Sequence, residues 1–223
     1  MLHDGEIAYL KVPLELPKIY PITDVSLSGR THAEQVAELI DGGARFIQIR
    51  EKDASPDDFY AAVVECVGIA KATATVIIVN DRVDIALAAR AHGVHLGQTD
   101  LPAAKARKLL GDEAVIGIST HNLEQAEDAL RLPVDYVAFG PVWPTRTKKN
   151  PDPTVGLGPL RELKEIAGDL PLVAIGGINA ENLPATLGAG ADCAAIISEL
   201  YRDGGSITNR FRHLRVVADV KHG

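Results

Sequence analysis

The sequence predicts an α/β fold, a single-domain (β/α)8 TIM barrel, and three observations carry that prediction. Short apolar runs alternate with helical patterns in about eight units over roughly 200 residues, the compact end for such a barrel. The runs are apolar almost throughout, which marks parallel strands covered on both faces. No shift of composition divides the chain. An open doubly wound sheet shares the alternation but usually needs fewer units.

The elements follow in order. Residues 1–17 show no periodicity and are expected to be an N-terminal extension, packed across the barrel base or serving an interface; the barrel is expected over 18–220. Ile19 to Thr23 is the first apolar run, followed by a Gly-containing turn. A helix runs from Thr31, through Ala33, Val36, Ala37, Leu39 and Ile40, to Gly42-Gly43. Phe46 to Arg50 is the second strand. Ser55 then caps a helix that opens on Pro56 and reaches about Lys71. Four further units pair Val76–Val79 with Val83–Arg90, Gly93–Leu96 with Pro102–Leu110, Ala114–Ile118 with Asn122–Leu130, and Val134–Phe139 with a helix from about Pro159. Leu172–Ile175 leads to Asn179–Leu187, and Cys193–Ile197 to a last helix ending near Val217.

Composition removes several function classes. The 223 residues hold 23 Lys+Arg against 30 Asp+Glu, a formal charge of −7, with 4% aromatics. Gripping nucleic acid needs a basic face and stacking platforms, so no such partner is expected. No apolar run approaches the roughly 18 residues of a membrane span, and the first residues lack a signal peptide's pattern. Cys66 and Cys193 sit in apolar stretches and read as reduced packing residues. A cytoplasmic protein is expected, and a homo-oligomer is compatible with the sequence.

In a barrel, function sits where strands end and helices begin. Gln48 and Arg50 share one face of the second strand, with Lys52 just beyond; inward cations at a barrel mouth suggest an anionic ligand, although pairing with Glu51 or Asp53 is the alternative. Asn80-Asp81 ends the third strand and Gln98-Thr99-Asp100 follows the fourth. Two carboxylates on neighbouring strands suit Mg2+, with water and phosphate oxygens completing its shell; equally, each could cap the following helix. His92, His95 and His121 are scattered singly, without zinc spacing.

Ser119-Thr120-His121 closes the fifth strand with groups for acid–base work or ligand binding, or merely begins a helix. A long loop opens at Gly140-Pro141-Val142-Trp143-Pro144-Thr145-Arg146-Thr147-Lys148-Lys149 and continues through Pro151 and Pro153 to Gly156 and Gly158. It concentrates cations and hydroxyls in an acidic protein, as a phosphate-binding lid would. Gly176-Gly177 and Ile197-Ser198 end strands seven and eight, where barrels commonly hold a phosphate. The pattern suits a pyrophosphate at the cationic, metal-assisted side and a monophosphate at the neutral one.

Taken in order, Gln48-Ile49-Arg50-Glu51-Lys52, Val79-Asn80-Asp81-Arg82, His95-Leu96-Gly97-Gln98-Thr99-Asp100, Gly117-Ile118-Ser119-Thr120-His121, the Gly140 to Lys148 segment and Ile175-Gly176-Gly177-Ile178 closely resemble the thiamine phosphate synthase family over about Ile19 to Val217. The resemblance implies a transferase of thiamine biosynthesis. It would join 4-amino-2-methyl-5-(diphosphooxymethyl)pyrimidine to 4-methyl-5-(2-phosphoethyl)thiazole, giving thiamine phosphate and pyrophosphate. It implies Mg2+ at Asp81 and Asp100. Gln48, Arg50, Lys52, Asn80, Ser119 and Lys148 would meet the pyrimidine diphosphate, and Thr145, Thr147, Gly177, Ile197 and Ser198 the thiazole phosphate. Arg50, Lys52, Ser119 and Lys148 would be catalytic. A thiazole tautomerase shares the barrel and would use His121, but does not need the full diphosphate-binding set kept here. A non-catalytic sensor of thiamine phosphate would need no metal.

Lys148→Ala is expected to lower turnover on the order of 10²–10³-fold, as loss of a donor to developing negative charge does elsewhere, with the fold intact. Steady-state pyrophosphate release checks this; a near-normal rate would remove the loop from the chemistry.

Overall fold

The computed structural model describes residues 14–145, 147 and 152–220. Eight parallel strands form a closed barrel, each paired with its sequence neighbour and the last with the first. They are β1 (Ile19–Thr23), β2 (Phe46–Ile49), β3 (Val76–Asn80), β4 (Gly93–Leu96), β5 (Val115–Thr120), β6 (Tyr136–Phe139), β7 (Leu172–Ile175) and β8 (Cys193–Ile196). The helices are α1 (Val25–Ser28), α2 (His32–Asp41), α3 (Pro56–Ala70), α4 (Val83–Ala88), α5 (Ala103–Leu110), α6 (Leu123–Ala129), α7 (Leu157–Ala167), α8 (Leu183–Gly188) and α9 (Ile207–Asp219). No described helix is long and apolar enough to cross a membrane.

Strand alternation divides the core into two layers. One face of each strand packs on the helices, in a cluster that includes Ile47, Ile49, Ile77, Val79, Val94, Leu96, Phe139 and Ala174. The other face fills the barrel with Tyr20, Ile22, Phe46, Ile78, Tyr136, Ala138, Val173, Cys193 and Ala195. Burying one large aliphatic side chain gains about 1.5–3 kcal/mol. The apolar runs therefore serve both layers at once, which is why they read as continuous. Leu14 and Leu16, from the described end of the extension, pack against the interior cluster together with Val76 and Val115. Those two valines begin β3 and β5, so the extension meets the barrel at its amino-terminal end.

Local chemistry sets the helix starts. Thr31 and Glu34 form a capping box on α2, and Ser55 caps α3 with proline in its first turn; such caps contribute about 1 kcal/mol each. The Gly-containing turn after β1 holds the short α1, whose cap is Asp24. The helix expected at Asn179 begins later, at Leu183, because the Asn179 side chain accepts the backbone N–H groups of Glu181 and Asn182 in a turn of its own. Pro159 falls within the first turn of α7 rather than opening it, at a position whose N–H has no helical partner to lose. After β8 the chain forms a 3-10 helix (Ser198–Gly204) before α9.

At the amino-terminal rim, polar contacts pin the strands. Asp135 accepts from Ile116 N–H and pairs with Arg107 at 2.7 Å, while Asp192 accepts from Leu172 N–H and pairs with Lys164 at 2.8 Å. His92, between α4 and β4, uses Nδ1 to accept Ile77 N–H at 3.0 Å, and the partial burial of its ring lowers its pKa although much of the residue is exposed. His32 is likewise lowered, first by burial. A folded-state pKa below the unfolded value of about 6.5 means that protonation favours unfolding. That stability is therefore complete above about pH 6.5 and is lost as pH falls through the folded pKa. Thermal unfolding at pH 7.5 and 5.5 should show a lower Tm in acid. His92→Asn, whose amide oxygen can still accept the N–H, should narrow the gap; an unchanged gap would contradict the assignment. Both cysteines are free and buried, and burial pushes the Cys66 thiol up to about 12, so neither is a poised nucleophile.

Candidate active site

The carboxyl ends of the strands surround one cavity of about 520 Å³. Gln48, Arg50, Lys52, Asn80, Asp81, Asp100, Ser119, Thr145, Thr147, Gly177, Ile197 and Ser198 all line it. Of the site residues expected from the sequence, only Lys148 lies outside the described residues, as do its neighbours Arg146 and Lys149.

On the cationic side, Arg50 and Lys52 are held by acids that follow other strands, Asp24 after β1 and Asp81 after β3. Arg50 does not pair with Glu51 or Asp53; its Nη1 donates to Asp24 Oδ2 at 2.9 Å, and Asp24 is nearly buried at the end of β1. Asp24 also caps α1 through Oδ1, so one carboxylate ties the guanidinium to the backbone. Glu51 instead folds back to accept the backbone N–H groups of Lys52 and Asp53 at 2.7 and 2.9 Å, which shapes the turn carrying Lys52. Lys52 Nζ then reaches across to Asp81.

Neither acid caps a helix. The α4 and α5 starts, at Arg82 and Pro102, have no side-chain cap bond. Asp81 adopts a positive φ of 63°, uncommon for a residue with a side chain. Asp100 accepts Gly97 N–H at 2.7 Å. The two carboxyl groups come within hydrogen-bonding reach of each other, and Asp100 is pushed above the usual carboxylate range, first by burial and then by its carboxylate neighbour. Facing acids of this kind ask for a cation, which Lys52 supplies in part. Among the described residues no cluster of three or more His, Cys, Asp or Glu side chains could hold a metal. Two carboxylates are nonetheless the donor set that Mg2+ accepts when water and phosphate oxygens supply the remainder. Beside them, the buried Asn80 Nδ2 has no partner among the described residues, a donor that a ligand could satisfy.

The neutral side is built by close approach. Gly176 and Gly177 have φ of 97° and 66°, and a Cβ on either would lie within 2.4 Å of Pro141 or Pro144 atoms. The pair is glycine because the loop after β6 lies directly against it: Trp143 N–H donates to Gly176 O at 3.1 Å, and Trp143 Nε1 to Thr186 at 2.9 Å. This contact brings Thr145 and Thr147 to the same rim as Ile197 and Ser198. His121 Nδ1 lies 2.8 Å from Gly140 O and 3.5 Å from Asp152 Oδ2, so the histidine braces the same loop.

Sequence reasoning missed Asp24, which follows β1 with no motif around it, and Gln98 as a brace, whose Nε2 donates to Ser119 O at 2.6 Å. It also missed the cavity floor. There Gln48 Nε2 donates to Tyr20 Oη at 2.9 Å, Tyr20 Oη lies 3.1 Å from Tyr136 Oη, and His95 bridges Tyr136 Oη (2.9 Å) and Ser119 Oγ (2.8 Å).

Fold and site together define an enzyme class: a (β/α)8 barrel whose carboxyl rim sets facing acids and cations beside a neutral, glycine-shaped loop cluster. Comparison with known proteins gives the family. The family model described as thiamine monophosphate synthase matches residues 19–200. A thiamine-phosphate synthase of Clostridium novyi is 46% identical over 187 residues, 83% of this chain and 91% of that protein. One of Chloroflexus aurantiacus is 40% identical over 91% of this chain and 93% of its own. The solved thiamine phosphate pyrophosphorylase from Pyrococcus furiosus superposes with a TM-score of 0.80 at 34% identity, covering 91% of this chain and 95% of that one. A 3-hexulose-6-phosphate synthase, at 19% identity and a TM-score of 0.63, shares the fold alone. The chain belongs to the thiamine monophosphate synthase family and is a transferase.

Proposed function

We propose that this site condenses 4-amino-2-methyl-5-(diphosphooxymethyl)pyrimidine with 4-methyl-5-(2-phosphoethyl)thiazole, forming thiamine phosphate and releasing pyrophosphate. The observation that carries the reading is the pairing of Asp81 with Asp100 on one cavity wall, with Lys52 and Arg50 beside them.

The thiazole nitrogen attacks the pyrimidine's exocyclic methylene carbon, whose bond to the diphosphate oxygen breaks. No side-chain nucleophile is required. The chain's task is to bind the leaving diphosphate and favour the charge that grows on it. Asp81 and Asp100 would hold Mg2+, which when bound neutralises charge on the diphosphate. Arg50, fixed by Asp24, and Lys52, fixed by the Glu51 turn, present their donors to the same anion. Lys52 exchanges Asp81 for the diphosphate when substrate enters. Asn80 contributes its orphaned amide donor, and Gln48 and Ser119 hold the pyrimidine from β2 and β5. Thr145, Thr147, Gly177, Ile197 and Ser198 receive the thiazole's monophosphate, and Lys148 is assigned to the diphosphate by the family resemblance alone.

The test is pyrophosphate release with both substrates, with and without EDTA. Stoichiometric thiamine phosphate and pyrophosphate, abolished by EDTA and restored by excess Mg2+, is expected. Binding of thiamine phosphate with no turnover under any of these conditions would contradict the proposal.

A further inference from the structure

The first turn of α2 buries two polar side chains, His32 and Gln35, behind the cationic side of the cavity. Gln35 holds the end of β1: its Oε1 accepts Asp24 N–H at 3.0 Å, and its Nε2 donates to Arg30 O at 2.9 Å. His32 spans the ends of β1 and β2. Its Nδ1 lies 2.8 Å from Thr23 Oγ1, and its Nε2 lies 3.3 Å from Glu51 Oε2. An apolar ring could pack beside Phe59 as His32 does, with centroids 6.3 Å apart, so filling space does not by itself call for imidazole here. A polar ring that is only 4% exposed costs free energy unless its nitrogens are paired, and both are.

The informative pairing is the one with Glu51. A carboxylate only accepts hydrogen bonds, so Nε2 donates to it whatever the state of Nδ1. The two carboxylate oxygens face different ways: Oε1 takes the backbone N–H groups of Lys52 and Asp53, and Oε2 takes His32. Burial pushes the Glu51 carboxyl up, but the N–H groups of Asp53 and Lys52, together with His32, outweigh it and hold the group below its ordinary range. β2 has ended at Ile49, so no strand pairing places residues 50–53. Among the described residues, His32 is the one partner of Glu51 outside its own turn. Without the ring, the turn that carries Lys52 would be fastened only to itself.

We propose that His32 is a positioning residue that, through Glu51, sets the turn presenting Lys52 to the diphosphate. Neither His32 nor Glu51 is among the residues lining the cavity, whereas Lys52 is. The inference rests on the proposed function, which gives Lys52 an anion to meet. A cation that must meet charge growing on a leaving group loses much of its effect when displaced, and a shift of about 1 Å can cost on the order of 10²-fold in rate. The expected loss is smaller here, because Lys52 has a long stem and Glu51 keeps its two backbone contacts.

The experiment compares kcat for pyrophosphate release, at saturating substrates and Mg2+, in two amide variants that separate the two ring nitrogens. His32→Gln is long enough to donate to Glu51, whereas the shorter His32→Asn reaches only toward Thr23. His32→Gln should stay within about threefold of wild type, and His32→Asn should fall on the order of 10-fold. Each change is then repeated in Lys52→Ala. With no ammonium left to position, the two should differ by less than about twofold. A general loss of stability would instead lower His32→Asn in both backgrounds alike. Glu51→Ala leaves α2 untouched and should show the same pattern, a loss on the order of 10-fold that disappears in Lys52→Ala; it decides if a His32 variant does not fold. Equal rates for His32→Gln and His32→Asn, a loss that persists without Lys52, or Glu51→Ala at the wild-type rate overturns the proposal. A wild type that releases no pyrophosphate overturns the functional reading and this inference with it.

Discussion

Asp100→Asn is expected to lower turnover on the order of 10²–10³-fold while leaving the metal-free protein as stable as wild type or more so. The two halves of this expectation come from one geometry. Asp100 faces Asp81 in a partly buried position, and its raised pKa, caused first by burial and then by that neighbour, shows that ionising it is unfavourable in the folded chain. Removing the charge relieves that cost. An asparagine oxygen can still accept Gly97 N–H, and the Lys52–Asp81 pair is untouched. Function alone loses, because one of the two oxygen donors proposed for Mg2+ is gone. The apparent Mg2+ requirement should rise, and saturating metal should not restore the rate. Melting curves without metal, together with rates across a Mg2+ series, check both halves. A variant that is inactive and also markedly destabilised would mean that the acid pair is structural.

Arg50→Ala should cost a similar factor in kcat, again on the order of 10²–10³-fold, but here stability should fall as well. The reason is Asp24. Its carboxylate is nearly buried, pairs with Arg50 at 2.9 Å, and would be left uncompensated. Adding Asp24→Asn to Arg50→Ala removes the stranded charge, so the double variant should recover much of the lost Tm and none of the lost rate. A long-range partner in an ion pair is thereby separated from a group acting on the leaving anion. Recovery of rate along with Tm would show that Arg50 supports only the fold. Arg50→Lys is expected to rescue poorly, since an ammonium lacks the planar fork that engages Asp24 and a phosphate together.

Much of this site is legible before folding because a parallel barrel imposes a simple rule: what stands at the end of an apolar run stands at the rim. Arg50, Asp81, Asp100 and Ser119 obey it, each lying at or just beyond a strand terminus, and the cavity gathers all four. The features that escape are those created by closure. Tyr20, His95 and Tyr136 each look like an ordinary member of a buried strand, and no local spacing relates residues 20, 95 and 136. Only the wrapping of β1, β4 and β6 around one axis brings their polar atoms to about 3 Å. Asp24 escapes for a similar reason: its partner is 26 residues away on the next strand. Gly176-Gly177 is instructive in another way. The pair reads as room for a ligand, yet the space it provides is occupied by Pro141, Trp143 and Pro144 of the neighbouring loop. The glycines thus shape the phosphate side indirectly, by seating the segment that carries Thr145 and Thr147.

In the proposed reaction the Asp81–Asp100 pair and the Arg50–Lys52 arm share one metal-bound diphosphate. A crystal structure of the protein soaked with Mg2+ and pyrophosphate tests it most directly. The expected result is a cation held at Asp81 and Asp100 beside the pyrophosphate, with Lys52 moved from Asp81 onto the anion and Arg50 contacting it while still bound to Asp24. A pyrophosphate seated instead against Gly177 and Ser198, or a metal that avoids both acids, would contradict it.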